Sequence, residues 1–293
     1  MSQHSNNNGS GNRPSERKPH SFAAGFGWLG EAMLLVRHNA MRLLLLGLLL
    51  QMLGAASQIG VLGVLFLLAV PALTAGMLQG MHLAASGSKP APMVLFAAFQ
   101  GSGRLLSLFL LGGLTLALSF VVVSFVMVGG VASMDPELLA RIQSGDQAAV
   151  AELDPALLQR ILVAMVAGLG LGLVLSFFAV PLIWFQQRSL GSALGSSITT
   201  MFREFRALTA LGIGLFFLGV PVGLVAAFTV SAQLGASSPS MVLTVIMLLL
   251  VVVYQVLGFA AQYVAYRSVF MDVEPENQEL TRPPDPDDDQ LVA

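Results

Sequence analysis

ALTALGIGLFFLGVPVGLVAAFTVSAQLGASSPSMVLTVIMLLLVVVYQVLGFAAQYVAY, from Ala207 to Tyr266, runs for sixty residues without an Asp, Glu, Lys, Arg or His. A bilayer core about 30 Å thick takes about 20 apolar residues per helix. The stretch is therefore long enough for two crossings and a turn. Gly235-Ala236-Ser237-Ser238-Pro239-Ser240 is the expected turn, with Ser238 as N-cap and Pro239 at the first helical position. The chain is expected in a membrane.

The rest of the chain agrees. Of its 293 residues, 55% are apolar and only 10% charged, against about 25% charged in soluble domains. A net charge of −2 carries no nucleic-acid signal. The absence of cysteine excludes disulfides, thiol nucleophiles, iron–sulfur clusters and cysteine-ligated zinc. Residues 1–21 are polar and lack the apolar core of a cleavable signal peptide, so they read as a disordered tail.

Upstream of the long stretch, Phe22, Phe26, Leu29, Met33 and Val36 form a stripe at helical spacing, with Trp28 as an interface-seeking ring. No Asp, Glu, Lys or Arg falls between Leu43 and Ser88, which places spans near residues 39–59 and 61–83. Pro92–Gln100 reads as a short apolar helix before Arg104, and a third span as residues 105–130. Asp135 to Arg160 repeats itself: Asp135-Pro136-Glu137-Leu138-Leu139 returns as Asp154-Pro155-Ala156-Leu157-Leu158. Each copy offers an Asp N-cap with Pro at the first helical position, so residues 135–160 read as a helical loop. Span 4 is expected at 161–185, then an amphipathic helix carrying Leu190, Leu194, Ile198, Met201, Phe202 and Phe205 on one face. Spans 5 and 6 are expected at 207–232 and 241–266, and residues 272–293 as an acidic disordered tail.

These elements define an all-α polytopic membrane bundle of six transmembrane helices. They are arranged as three hairpins, each preceded by a cytoplasmic amphipathic helix. The tails and the 2–3 and 4–5 connections hold twelve of the fourteen Lys and Arg. By the positive-inside rule both termini face the cytoplasm and the 135–160 loop faces outward. Trp28, Arg42, Arg104, Trp184, Arg203, Arg206 and Arg267 are the expected interfacial anchors. Three glycine pairs spaced by four, Gly76/Gly80, Gly168/Gly172 and Gly219/Gly223, read as helix-packing faces, with a homodimer as the other use of such a motif.

Chemistry is sparse. No expected span holds an Asp, Glu, Lys or Arg, which argues against an ion-coupled transporter. Gln51, Tyr254 and Gln255 are the mid-depth polar residues, expected either as interhelical contacts or as the lining of a small polar cavity. No histidine follows His82, so a serine at Gly235–Ser238 would lack a downstream base. No Walker loop, no His-Glu-x-x-His and no aspartate pair inside the spans is present. The residues thus predict no enzyme, no cofactor and no metal site.

Gly27-Trp28-Leu29-Gly30-Glu31, Leu95-Phe96-Ala97-Ala98-Phe99, Pro181-Leu182-Ile183-Trp184-Phe185, Ser192-Ala193-Leu194 and Tyr263-Val264-Ala265-Tyr266-Arg267-Ser268-Val269-Phe270 form a set. Together they resemble a family of six-helix bacterial inner-membrane proteins with no agreed activity. That family is distantly similar to the membrane domains fused to some glycerophosphodiester phosphodiesterases. The resemblance covers Phe22–Met271; the Asp-Pro loop and both tails depart from it. It implies the bacterial inner membrane and a six-helix fold, and it transfers no catalytic residue. The expected role is a non-enzymatic, lipid-interacting or scaffolding bundle. Its partners would be membrane lipids, with a membrane-protein partner or a second copy left open. The alternative is a channel or carrier for an apolar or lipid-like solute, lined by Gln51, Tyr254 and Gln255.

Overall fold

The computed structural model describes residues 19–57, 61–101, 103–127, 135–144, 152–234 and 240–271. Every regular element among the described residues is helical. The order is α1 (Phe22–His38), α2 (Ala40–Ala56), α3 (Val61–Ala85), a 3₁₀ segment (Pro92–Phe99), α4 (Leu105–Met127) and α5 (Pro136–Gln143). It continues with α6 (Pro155–Ser176), α7 (Ala179–Gln186), α8 (Leu190–Arg203), α9 (Phe205–Leu234) and α10 (Met241–Phe270). Uncharged apolar runs form helices because only internal hydrogen bonds can satisfy the backbone in hydrocarbon.

Five runs are long and apolar enough to cross a membrane: Leu62–Ala85, Leu105–Val126, Pro155–Gln186, Phe205–Thr229 and Met241–Phe270. A sixth candidate is the pair α1 and α2, bent by 97° at Asn39. At 17 residues α2 sits at the short limit of a spanning helix. The protein is an all-helical, multi-pass membrane protein. Helix α2 packs on α3, α4 on α6, and α9 on α10, while α1 lies across both α9 and α10. That crossing is close: a Cβ on Gly25 would run into the backbone of Ala207 and Leu211.

Both Asp-Pro copies start helices. The Asp135 side chain accepts from Glu137 N–H at 3.0 Å, and that of Asp154 from Ala156 N–H at 3.0 Å. The two helices differ in length. The first copy makes the short α5. The second opens α6, which runs unbroken to Ser176. The fourth apolar run therefore begins at Pro155 rather than near 161, and the second copy belongs to it rather than to a loop. Arg141 grips the Glu152 carboxylate at 2.9 and 3.0 Å, closing α5 back towards α6.

The same run breaks at Phe177–Phe178, between α6 and α7. Pro181 explains it. Proline has no N–H for the carbonyl four residues back, and its ring crowds that carbonyl. The residue four back is Phe177. Its oxygen is taken instead by the Gln262 side-chain amide, which donates from α10 at 2.7 Å. At the start of α10 the N-cap is Ser240, whose hydroxyl accepts from Leu243 N–H at 3.5 Å, two residues beyond the expected cap at Ser238. The Gly235–Pro239 part of that turn and most of both tails lie outside the described residues.

The core sits at one end of the bundle. In α10, Val252, Val256, Ala260, Tyr263 and Val264 are buried, whereas Val242, Val245, Ile246 and Leu249 are exposed. In α3, Leu73, Met77, Leu78 and Met81 are buried, while Leu62, Val64, Leu65 and Leu67 are exposed. Lipid tails are as apolar as leucine, so the exposed halves of these helices have no hydrophobic drive to pack on one another.

Candidate functional site

The expected mid-depth polar residues divide. The Tyr254 hydroxyl donates to the Leu215 carbonyl of α9 at 3.3 Å. Its ring end occupies the notch left by Gly219, where a Cβ would come within 2.9 Å of the hydroxyl oxygen. Tyr254 is thus an interhelical contact. Gln255 has its Oε1 buried without a hydrogen-bond partner. Gln51 is half-buried beside Gly54 on its own helix.

Several expected anchors make specific contacts within the fold. Trp28 is 4% exposed and packs edge-on against His20, with ring centroids 5.4 Å apart. Trp184 is 7% exposed, and its indole N–H donates to Gln79 Oε1 at 2.9 Å. Arg104 lies over the Trp184 ring and donates to the Trp184 carbonyl at 2.7 Å. Both indoles are turned inward because their N–H or ring edge has a polar partner in the fold. Arg267 pairs with Glu31. Arg42 is half-buried and Arg206 is exposed.

The sequence placed a large apolar stripe on the amphipathic helix and left its inward face undefined. In the structure α8 has three faces. Ile198, Phe202 and Phe205 (the last just past its end) point outward. Ala193, Ser197, Thr200 and Glu204 are buried against the bundle. Ser196, Thr199, Thr200 and Arg203 line a groove. The expected stripe therefore divides: Leu190, Leu194 and Met201 pack against the core, and Ile198, Phe202 and Phe205 are left on the outside.

Glu204 is the centre of this corner. Its side chain has no exposed surface. One carboxylate oxygen accepts from the His20 backbone N–H at 2.9 Å and lies 3.0 Å from His20 Nδ1. The other accepts from Arg203 Nε at 3.1 Å. Burial alone would raise the Glu204 pKa. The His20 N–H, the His20 ring with its charge, and Arg203 outweigh it and hold the carboxyl below its ordinary value. His20 Nε2 also lies 3.4 Å from Ser268 Oγ on α10. Three distant parts of the chain are thereby tied together: the segment before α1, the α8–α9 corner and the end of α10.

Beside this tie lies an open groove of about 490 Å³, between the end of α7, α8 and the end of α10. Gln186, Arg188, Ser196, Thr199, Thr200 and Arg203 supply its polar lining. Arg188 NH1 donates to Ser196 Oγ at 2.8 Å. Arg188 follows Gln187, which sits in the left-handed region at φ 55°, and the Leu182 carbonyl accepts the N–H of both residues.

His20 falls in the expected disordered tail, and Arg188 lies just past the expected end of the fourth span at 185. The polar row Ser196–Thr199–Arg203 was readable from its helical spacing. No sequence signal places His20 against Glu204, 184 residues away. Compared with known protein families, curated proteins and solved structures, the chain matches none of them.

Proposed function

We propose that this is a non-enzymatic, lipid-interacting bundle of the bacterial inner membrane, built as three helical hairpins with both termini cytoplasmic. The observation that carries the reading is the outward turn of Ile198, Phe202 and Phe205 from α8. A helix that keeps exposed phenylalanines on its outer face, beside an inward face of small and polar residues, suits lipid rather than water. The 97° turn between α1 and α2 supports it, since a helix perpendicular to a span lies along the membrane surface. Helix α1 likewise exposes Phe22, Phe26, Met33 and Leu34.

The described carboxylates have structural tasks, which favours a non-catalytic role. Glu31 pairs with Arg267, Glu152 with Arg141, and Glu204 with His20 and Arg203. Asp135 and Asp154 cap helices, and Glu137 stands in the first turn of α5. The resemblance to bacterial six-helix inner-membrane proteins supports the location.

Replacing Phe202 and Phe205 together by Glu is expected to reduce membrane-inserted, monodisperse protein several-fold. Each charge then faces hydrocarbon or its boundary, at up to about 3 kcal/mol per charged residue at the membrane centre and less near the surface. Gln255→Leu is expected to leave the yield unchanged. Equal tolerance of both changes, read by size-exclusion of detergent extracts, would overturn the lipid-facing role of α8.

The orientation is tested on the natural cysteine-free background. An impermeant maleimide applied to intact cells is expected to label Ser144→Cys and not Ser189→Cys. The reverse pattern inverts the topology.

A further inference from the structure

We propose that the groove between α7, α8 and the end of α10 binds a phosphate group, with Arg188 and Arg203 as its charged clamp and Ser196 as hydroxyl partner. The chemistry of the lining is one-sided. Two guanidinium groups, three hydroxyls and one carboxamide face the groove, and among the described residues no carboxylate does. The Glu204 carboxylate, which holds Arg203, has no exposed surface and is not part of the lining.

The hydrogen bonds already present leave donors over. Arg188 uses NH1 on Ser196 Oγ. Ser196 accepts that bond with its oxygen, so its own O–H is available to a ligand. Arg203 lines the groove and is held through Nε by Glu204, a bond that does not use its terminal nitrogens. Among the described residues no carboxylate pairs with Arg188. Two guanidinium forks with unspent donors suit the tetrahedral oxygens of phosphate, which they can bind in pairs.

The volume, about 490 Å³, exceeds what a bare phosphate needs and leaves room for the group it is attached to. Around α8 the polar row lies about a third of a turn from the outward row of Ile198 and Phe202. With that row in lipid, the groove opens at the level of the lipid phosphates. This placement rests on the lipid-facing reading of α8, whereas the donor set does not. The phosphate could arrive as a lipid headgroup or as a soluble anion.

The test uses the full chain in phosphatidylcholine nanodiscs. One arm titrates nanodiscs with increasing phosphatidic acid and reads retained lipid by native mass spectrometry. The other titrates inorganic phosphate by calorimetry. Saturable retention of phosphatidic acid identifies a headgroup, and saturable heat with inorganic phosphate alone identifies a soluble ligand. In either case Arg188→Gln and Arg203→Gln are each expected to weaken binding at least about tenfold. Arg206→Gln, an exposed arginine outside the groove lining, is expected to leave it unchanged. Because Arg203 also holds Glu204, Ser196→Ala serves as a second groove variant, with a loss of about threefold or more expected. Absence of saturable binding in both arms overturns the proposal, as does binding that Arg188→Gln and Ser196→Ala leave intact in protein with an unchanged melting temperature. Such a failure would not touch the lipid-facing role of α8, which is read separately from the phenylalanine variants.

Discussion

Gly76→Val is expected to abolish or nearly abolish folded protein, while Gly223→Ala is expected to be neutral or stabilising. Both glycines lie in long apolar helices and both were readable as members of small-residue pairs. They differ in what a side chain would meet. A Cβ on Gly76 would overlap the Leu95 carbonyl, carbon and Cα, all backbone atoms. Leu95 belongs to the 3₁₀ segment and is itself fully buried. A backbone pressed between α3 and its neighbours cannot step aside as a flexible side chain would. Overpacking usually costs about 1–3 kcal/mol and more where nothing yields, so about 3 kcal/mol or more is expected here. At Gly223 a Cβ would meet nothing within 4 Å. The alanine then gains helix propensity, about 0.5–1 kcal/mol. Thermal unfolding of the two variants in one detergent is the measurement, and melting temperatures that move together would refute the close approach of α3 to the 3₁₀ segment.

Glu204→Gln is expected to cost about 2 kcal/mol at neutral pH, because hydrogen bonds to a charged partner contribute about 1.5–3 kcal/mol. The lower part of that range is apt: Glu204 itself is inaccessible, but the His20 and Arg203 side chains that hold it are 27% and 40% exposed. The pH dependence has a fixed sign. The folded protein holds the Glu204 pKa below its ordinary 4.5. Its contribution is therefore complete above about pH 4.5 and is lost as the pH falls through the depressed folded value. The gap in melting temperature between wild type and Glu204→Gln should be present above about pH 4.5 and close on acidification below it. A gap that stays constant down to strongly acid pH would show that Glu204 acts through shape rather than charge. His20→Ala removes the ring but keeps the backbone N–H, so it should give only part of the loss.

The Tyr254 contact illustrates how far residue type can be read. A tyrosine in a charge-free helix needs a hydrogen-bond partner, and that need is visible without a structure. Which carbonyl supplies it is not: Leu215 is on another helix, and its approach depends on the notch at Gly219. For Trp28 and Trp184 the partners, too, are set by packing. Indoles near a span end commonly mark the interface, yet both are buried here. Residue type gave no warning, because His20, Gln79 and Arg104 are brought to them by helix packing.

Hydropathy alone determined that this chain is helical and multi-pass, and roughly where its long apolar runs lie. That information is local: a charge-free run of about twenty residues has no other stable form in hydrocarbon. The Asp-Pro helix starts were legible for the same reason, since a cap and its helix are neighbours in sequence. Tertiary structure decided what each face of α8 touches, where the fourth run's orphan carbonyl finds a donor, and that His20, Glu204 and Ser268 meet. These depend on contacts between residues 85 to 248 positions apart. No periodicity encodes such distances, because in lipid the choice among helix pairings is made by close approach of particular side chains and not by hydrophobic pattern.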